Sequence, residues 1–115
     1  MRRGKEIAQG SHASMEFLVS QIRRCLQENA DLAIDLTPEE TSWLSDGMAK
    51  VCLQVGSEQE LLDYHRKAQA HGLKSFLIED SGRTEFGGTA TLTACAIGPA
   101  IVTQIDAVTG DLTLY

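Results

Sequence analysis

No apolar run in this 115-residue chain approaches the ~18–20 residues that a membrane-spanning helix needs, which excludes a transmembrane helix. A secretory signal is not expected either: Arg2, Arg3 and Lys5 open the sequence, but no apolar segment follows them. Cysteine is scarce. Cys25, Cys52 and Cys95 are odd in number and far apart, with no Cys-x-x-Cys and no Cys/His ligand spacing. They read as small buried hydrophobes in a reducing, cytoplasmic compartment, not as a disulfide frame or a zinc site. No metal and no other cofactor is expected. Basic residues are in deficit, 10 against 16 acidic, for a formal net charge of −6. That argues against broad, non-specific nucleic-acid binding, which needs many Lys and Arg contacts to phosphate. A local basic site remains open at Arg2, Arg3 and Lys5, joined further along by Arg23 and Arg24. No Ser-His-Asp order stands out and no cysteine neighbours a histidine in sequence, so a covalent acyl-enzyme has little support.

What is present fits one globular domain over residues 1–115, with 43% apolar and 23% charged residues. Residues 3–29 are predicted as one long helix. Ile7, Ser11, Met15, Leu18, Ile22, Cys25 and Leu26 recur at helical spacing and form the expected apolar stripe. Gly10 interrupts it at a cost of about 1 kcal/mol relative to Ala, which suggests a close approach to the backbone. Lys5, Gln9 and His12 share a different face, within roughly 60°. Residues 29–36 break the pattern. Thr37, Pro38 and Glu40 then signal a capped short helix ending near Gly47.

The alternation in 48–55 predicts a strand, Ser57 and Glu60 cap a helix over 58–71, and 73–80 reads as the next strand. That βαβ-sized step is expected to be a parallel, right-handed crossover. A glycine-rich loop leads to a strand over 91–99, and 100–110 is a last short helix or an irregular turn. The expected class is α/β, a small mixed sheet with three main strands and helices on both faces.

Asp80 ends a strand and enters the turn sequence "SGRT". It is there either as a turn initiator or as an exposed functional carboxylate. Thr91 and Thr93 alternate with Leu92 and Ala94, so their hydroxyls share one face. Taken singly, Lys5 reads more readily as a solvated charge, and His12 as a hydrogen-bonded helix histidine. His65 and His71 read as surface residues, and Trp43 as core or the edge of a groove.

Together these residues resemble a known family. "RRGKEIAQGSHAS" resembles the Gly-Lys-x-x-x-Gln-x-x-His-Ala opening of the peptidyl-tRNA hydrolases of the archaeal/eukaryotic type. "EDSGRTEFGGTATLTACAIGP" resembles their Asp-x-Gly-x-Thr loop and the threonine-containing strand that follows, and "IDAVTGDLTLY" looks like their closing segment. The resemblance implies cleavage of the ester joining peptide to tRNA, with peptidyl-tRNA as partner and no membrane. It places the catalytic groups on Lys5, Asp80 and Thr93, with Thr91 as substitute for the last. It places substrate contacts on Gln9, His12 and Thr84, and Arg3 joins them from the basic cluster.

The chain departs from the family in three ways. Gly87 and Gly88 stand where a proline is usual, and the balance of charge is more acidic. The family also carries a strand before the lysine helix, so a fourth strand is expected ahead of residue 1 and the chain looks cut short. An exposed sheet edge then raises a homodimer as an expectation. The alternative function is a non-catalytic RNA- or protein-binding module on the same fold.

Overall fold

The computed structural model describes residues 1–82 and 86–115. Its first element, α1, spans Arg3–Gln27. It stops where Asn29 takes a left-handed φ of 53° and the Ala30 N–H reaches back to the Cys25 carbonyl at 3.0 Å. The expected stripe is buried only in part: Ile7 and Leu26 are 64% and 68% exposed and Met15 is exposed too, Leu18 and Ile22 are half-buried, and Cys25 is buried, together with Ala13 and Phe17 from outside the stripe. One row runs from half-buried Lys5 and Gln9 to buried Ala13 and Phe17, an i, i+4 series whose first two members are polar. The first turns of α1 meet the sheet through Lys5 and Gln9, which leaves Ile7 outward. Gly10 is exposed, and a Cβ there would find nothing within 4 Å. The close approach expected at this glycine is therefore not made within the chain.

Helix α2, Pro38–Ser45, starts on the expected capping box: Glu40 N–H donates to Thr37 Oγ1 at 3.1 Å and Thr37 N–H to Glu40 Oε1 at 2.8 Å. Glu40 is fully buried and is met by Lys74 Nζ at 2.9 Å. Burial raises its pKa, but the Thr37 N–H and the Lys74 ammonium outweigh that and hold it low. Trp43 crosses Phe17 edge to face, with ring centroids 5.8 Å apart, which fastens α2 to α1.

Residues 48–55 are not a sheet strand. Among the described residues they make one isolated antiparallel bridge, Leu53 to Leu114, flanked by Gln54 N–H to Thr113 O and Tyr115 N–H to Cys52 O. Their partner is the closing segment, so the expected parallel crossover into 73–80 does not form. The sheet described is two-stranded and antiparallel rather than mixed and three-stranded: β1, Ser75–Asp80, against β2, Thr91–Ile97.

Helix α3, Glu58–Ala70, is capped by Ser57 Oγ, which accepts from Glu60 N–H at 3.1 Å. The Glu60 carboxylate goes to the Gly56 N–H instead of closing the box. Helix α4, Val102–Thr109, resolves the choice left open for 100–110. A small core forms where Ala68, Leu73 and Val108 meet, with Tyr64, Ile97, Ala100 and Ile105 around them. Both α1 and α3 pack on both strands. They lie on opposite faces: Lys5 of α1 reaches Asp80, whereas His65 of α3 reaches Ser75.

Candidate active site

Strand β1 delivers Asp80 to the sheet end nearest the start of α1. Lys5 Nζ lies 2.6 Å from Asp80 Oδ1, and the two side chains are only 18% and 8% exposed. The other carboxylate oxygen, Oδ2, accepts from the Gly82 N–H at 2.8 Å. Asp80 is therefore both turn initiator and ion-pair partner, and the two readings of this residue are one arrangement. The Lys5 ammonium first, and the Gly82 N–H second, hold the Asp80 carboxyl below its ordinary pKa of 3.8 against the opposing effect of desolvation. Gly82 is required by space as well as conformation. Its φ is +83°, and a Cβ would sit 2.4 Å from the Thr89 carbonyl oxygen.

Thr93 reaches the same helix through a defect in the ladder. Ile78 pairs with Ala94 and Glu79 with Leu92, so Thr93 has no residue opposite it. Thr93 at this bulge leans toward α1. Cys95, only two residues past Thr93, faces α3 instead, with its Sγ 3.0 Å from Ser75 Oγ. The Thr93 hydroxyl lies 2.5 Å from Gln9 Oε1 and 3.4 Å from the Ile78 carbonyl. It has one proton to give, and the shorter contact with Gln9 takes it. Lys5 and Gln9, one turn apart on α1, thus meet β1 and β2 respectively. Asp80 is paired in the ladder with Thr91, whose own hydroxyl turns back to Thr89 O at 3.0 Å. Of the two candidate threonines, Thr93 is the one joined to α1.

The remaining sequence candidates fare differently. His12 stands apart from the sheet, half exposed, with Nε2 3.2 Å from Glu16 Oε2. Arg3 is exposed and lines an open depression of about 580 Å³ with Met1, Glu6 and Tyr115. Lys5 lines a second depression, of about 500 Å³, with Arg2, Gly4 and Ala8. Thr84 lies outside the described residues.

Two groupings had no local signal. Tyr115 OH donates to Glu6 Oε1, next to Lys5 in the chain. On the far face of the sheet, His65 Nδ1 lies 2.7 Å from Ser75 Oγ, so His65 is not the surface residue expected. Burial pushes the Cys95 thiol up and the His65 imidazole down, which makes that cluster a poor nucleophile–base pair. Among the described residues, no three His, Cys, Asp or Glu side chains gather as a metal site requires.

A lysine–aspartate pair thus stands beside a threonine–glutamine bond at the start of α1. The family model described as "Peptidyl-tRNA hydrolase PTH2" matches residues 1–115. The chain belongs to the peptidyl-tRNA hydrolase PTH2 family. Similar curated proteins are named peptidyl-tRNA hydrolase. One from Methanocaldococcus jannaschii is 40% identical over 99% of this chain and 89% of its own length. One from Halobacterium salinarum is 37% identical over the whole chain and 89% of its own length. One from Aeropyrum pernix is 37% identical over the whole chain and 86% of its own length. The match to the PTH2 family takes in Lys5, Gln9, Asp80 and Thr93, which this fold gathers around the start of α1.

Proposed function

We propose that this chain hydrolyses the ester between peptide and tRNA in peptidyl-tRNA, releasing free tRNA. Lys5, Asp80 and Thr93 are the catalytic groups, and Gln9, His12, Thr84 and Arg3 are the substrate contacts. The observation that carries this reading is the 2.6 Å pair between Lys5 Nζ and Asp80 Oδ1 at a strand end. Ester hydrolysis needs a directed water, charge to stabilise the oxyanion, and a proton for the departing alkoxide.

The depressed pKa of Asp80 makes it a weak base at neutral pH, so its role is to hold and polarise rather than to abstract. It fixes the ammonium of Lys5, whose positive charge is the group best suited to the developing oxyanion. Thr93 takes the oxygen end of the Gln9 amide, which leaves the Nε2 end to donate to the substrate carbonyl or ribose. Arg3 and His12 flank these groups on α1, where phosphates of the tRNA end would arrive.

The site is read as one domain working in the cytoplasm; no described helix is long and apolar enough to cross a membrane. A homodimer belongs to the same reading. The exposed Ile7, Met15 and Leu26 on α1 are its candidate surface, and sedimentation would decide it. The non-catalytic alternative has no observation in its favour.

The test is hydrolysis of N-acetyl-aminoacyl-tRNA by the wild type and by Asp80→Ala. Loss of turnover with retained folding is expected. An Asp80→Ala variant as fast as wild type would reject the assignment.

A further inference from the structure

Residues 113–115 run antiparallel to 52–54 and end beside the start of α1. Tyr115 N–H donates to Cys52 O at 2.9 Å, and Gln54 Nε2 donates to Leu114 O at 2.8 Å, so the backbone here is held on both sides. The Tyr115 hydroxyl is tied in turn to Glu6 on α1. Yet the residue is 69% exposed. An aromatic ring anchored at both ends, with its surface left to solvent, has already lost the freedom that binding would otherwise cost. It lines the open depression of about 580 Å³ together with Arg3, Glu6 and Met1. Glu6 and Arg3 flank Lys5 in the chain, within about one turn of α1.

We propose that the Tyr115 ring, tethered to Glu6 and flanked by Arg3, is a stacking platform for an unpaired nucleobase at the 3′ end of the tRNA. The inference rests on the hydrolase reading and names a subsite for its substrate. Every nucleobase has a π-face, and an aromatic ring beside a guanidinium is the combination that holds single-stranded ends without reading their sequence. A rigid platform suits a ligand that is the same in every substrate. The unpaired 3′ end is shared by all tRNAs, while the peptide side chains change. The net charge of −6 fits this arrangement, because a stacked base supplies affinity that a poor complement of phosphate contacts would not.

The test uses two measurements. The first is steady-state hydrolysis of N-acetyl-aminoacyl-tRNA by wild type, Tyr115→Phe and Tyr115→Leu. Tyr115→Leu should raise KM about five- to a hundred-fold with kcat nearly unchanged, the range that loss of one stacked base gives, while Tyr115→Phe keeps most of the affinity. The second is fluorescence of a short 3′-end RNA oligonucleotide carrying 2-aminopurine in its unpaired tail. Wild type should change the emission on binding, and Tyr115→Leu should not.

A Tyr115→Leu enzyme with wild-type KM, or a wild type that binds the oligonucleotide with no change in emission, overturns the platform. So does an equal KM penalty on a substrate whose tail bases have been removed, which would assign the ring to the peptide. Should Tyr115→Leu fail to fold, the wild-type fluorescence still decides. Failure of the hydrolase reading looks different: wild type and Lys5→Ala would then be equally inert toward peptidyl-tRNA.

Discussion

The two oxygens of Asp80 have separate partners, Lys5 Nζ at 2.6 Å and the Gly82 N–H at 2.8 Å. The carboxyl is held below its ordinary value of 3.8, so as pH falls the unfolded chain takes up its proton before the folded one. The stabilisation from this group is complete above 3.8 and is lost as pH drops through the lower folded value. Turnover that depends on the Asp80 carboxylate should therefore show its acid limb below 3.8; a kcat/KM profile compared with Asp80→Asn measures it. A limb near neutrality that vanishes in Asp80→Asn would mean the carboxyl is not held low. Gly82 gives a second residue-scale expectation. Its φ of +83° and the 2.4 Å approach to Thr89 O leave no room for a methyl group. Gly82→Ala should cost on the order of 2 kcal/mol or more in urea unfolding and should weaken turnover by displacing Asp80. The carboxylate, the lysine and the threonine were legible as residue types at motif spacing. The sequence could not reveal that Asp80 would serve as turn former and ion-pair partner together.

Among the elements, α1 and β2 repay comparison with their sequences. The existence and length of α1 follow from its periodicity, but its orientation does not. Ile7, Met15 and Leu26 looked like the buried side and are exposed, while Lys5 and Gln9 share a row with buried Ala13 and Phe17. Periodicity finds the richest apolar face, and here the first turns of α1 meet the strands through Lys5 and Gln9 instead. Gly10 sits on the exposed side with open space around its Cα. Gly10→Ala should therefore stabilise the chain by up to about 1 kcal/mol, read as a higher urea midpoint at unchanged slope. A destabilised variant would mean that something does approach the backbone there. In β2 the alternation of Thr91 and Thr93 was visible, but the bulge at Thr93 was not. A bulge is a property of two paired strands, and no composition within 91–97 announces it.

Across the whole molecule, long-range pairing is what sequence reading missed. Of the alternation expected over 48–55, Leu53 and Val55 are half-buried and Val51 is exposed; the partner is the segment around Leu114 and not β1, and partner choice is not written in either segment alone. The Tyr115–Glu6 and Lys74–Glu40 contacts were unreadable for the same reason. Charge, by contrast, was fully legible. With a net charge of −6 and its basic cluster at Arg2, Arg3 and Lys5, the molecule should release few counterions on binding tRNA. A plot of log(1/KM) against log salt should have a slope of about −2, from roughly three single-strand phosphate contacts, rather than the −6 or steeper of a broad basic surface.

The proposed hydrolysis rests on the ammonium of Lys5 being fixed by Asp80 where ester charge would develop. Single-turnover hydrolysis of N-acetyl-aminoacyl-tRNA by Lys5→Ala, alongside its thermal melt, tests that most directly. The expected result is a rate lower by about 10²–10³, the usual cost of removing one oxyanion-stabilising group, with a near-native melting curve. A Lys5→Ala rate within a few-fold of wild type would contradict it.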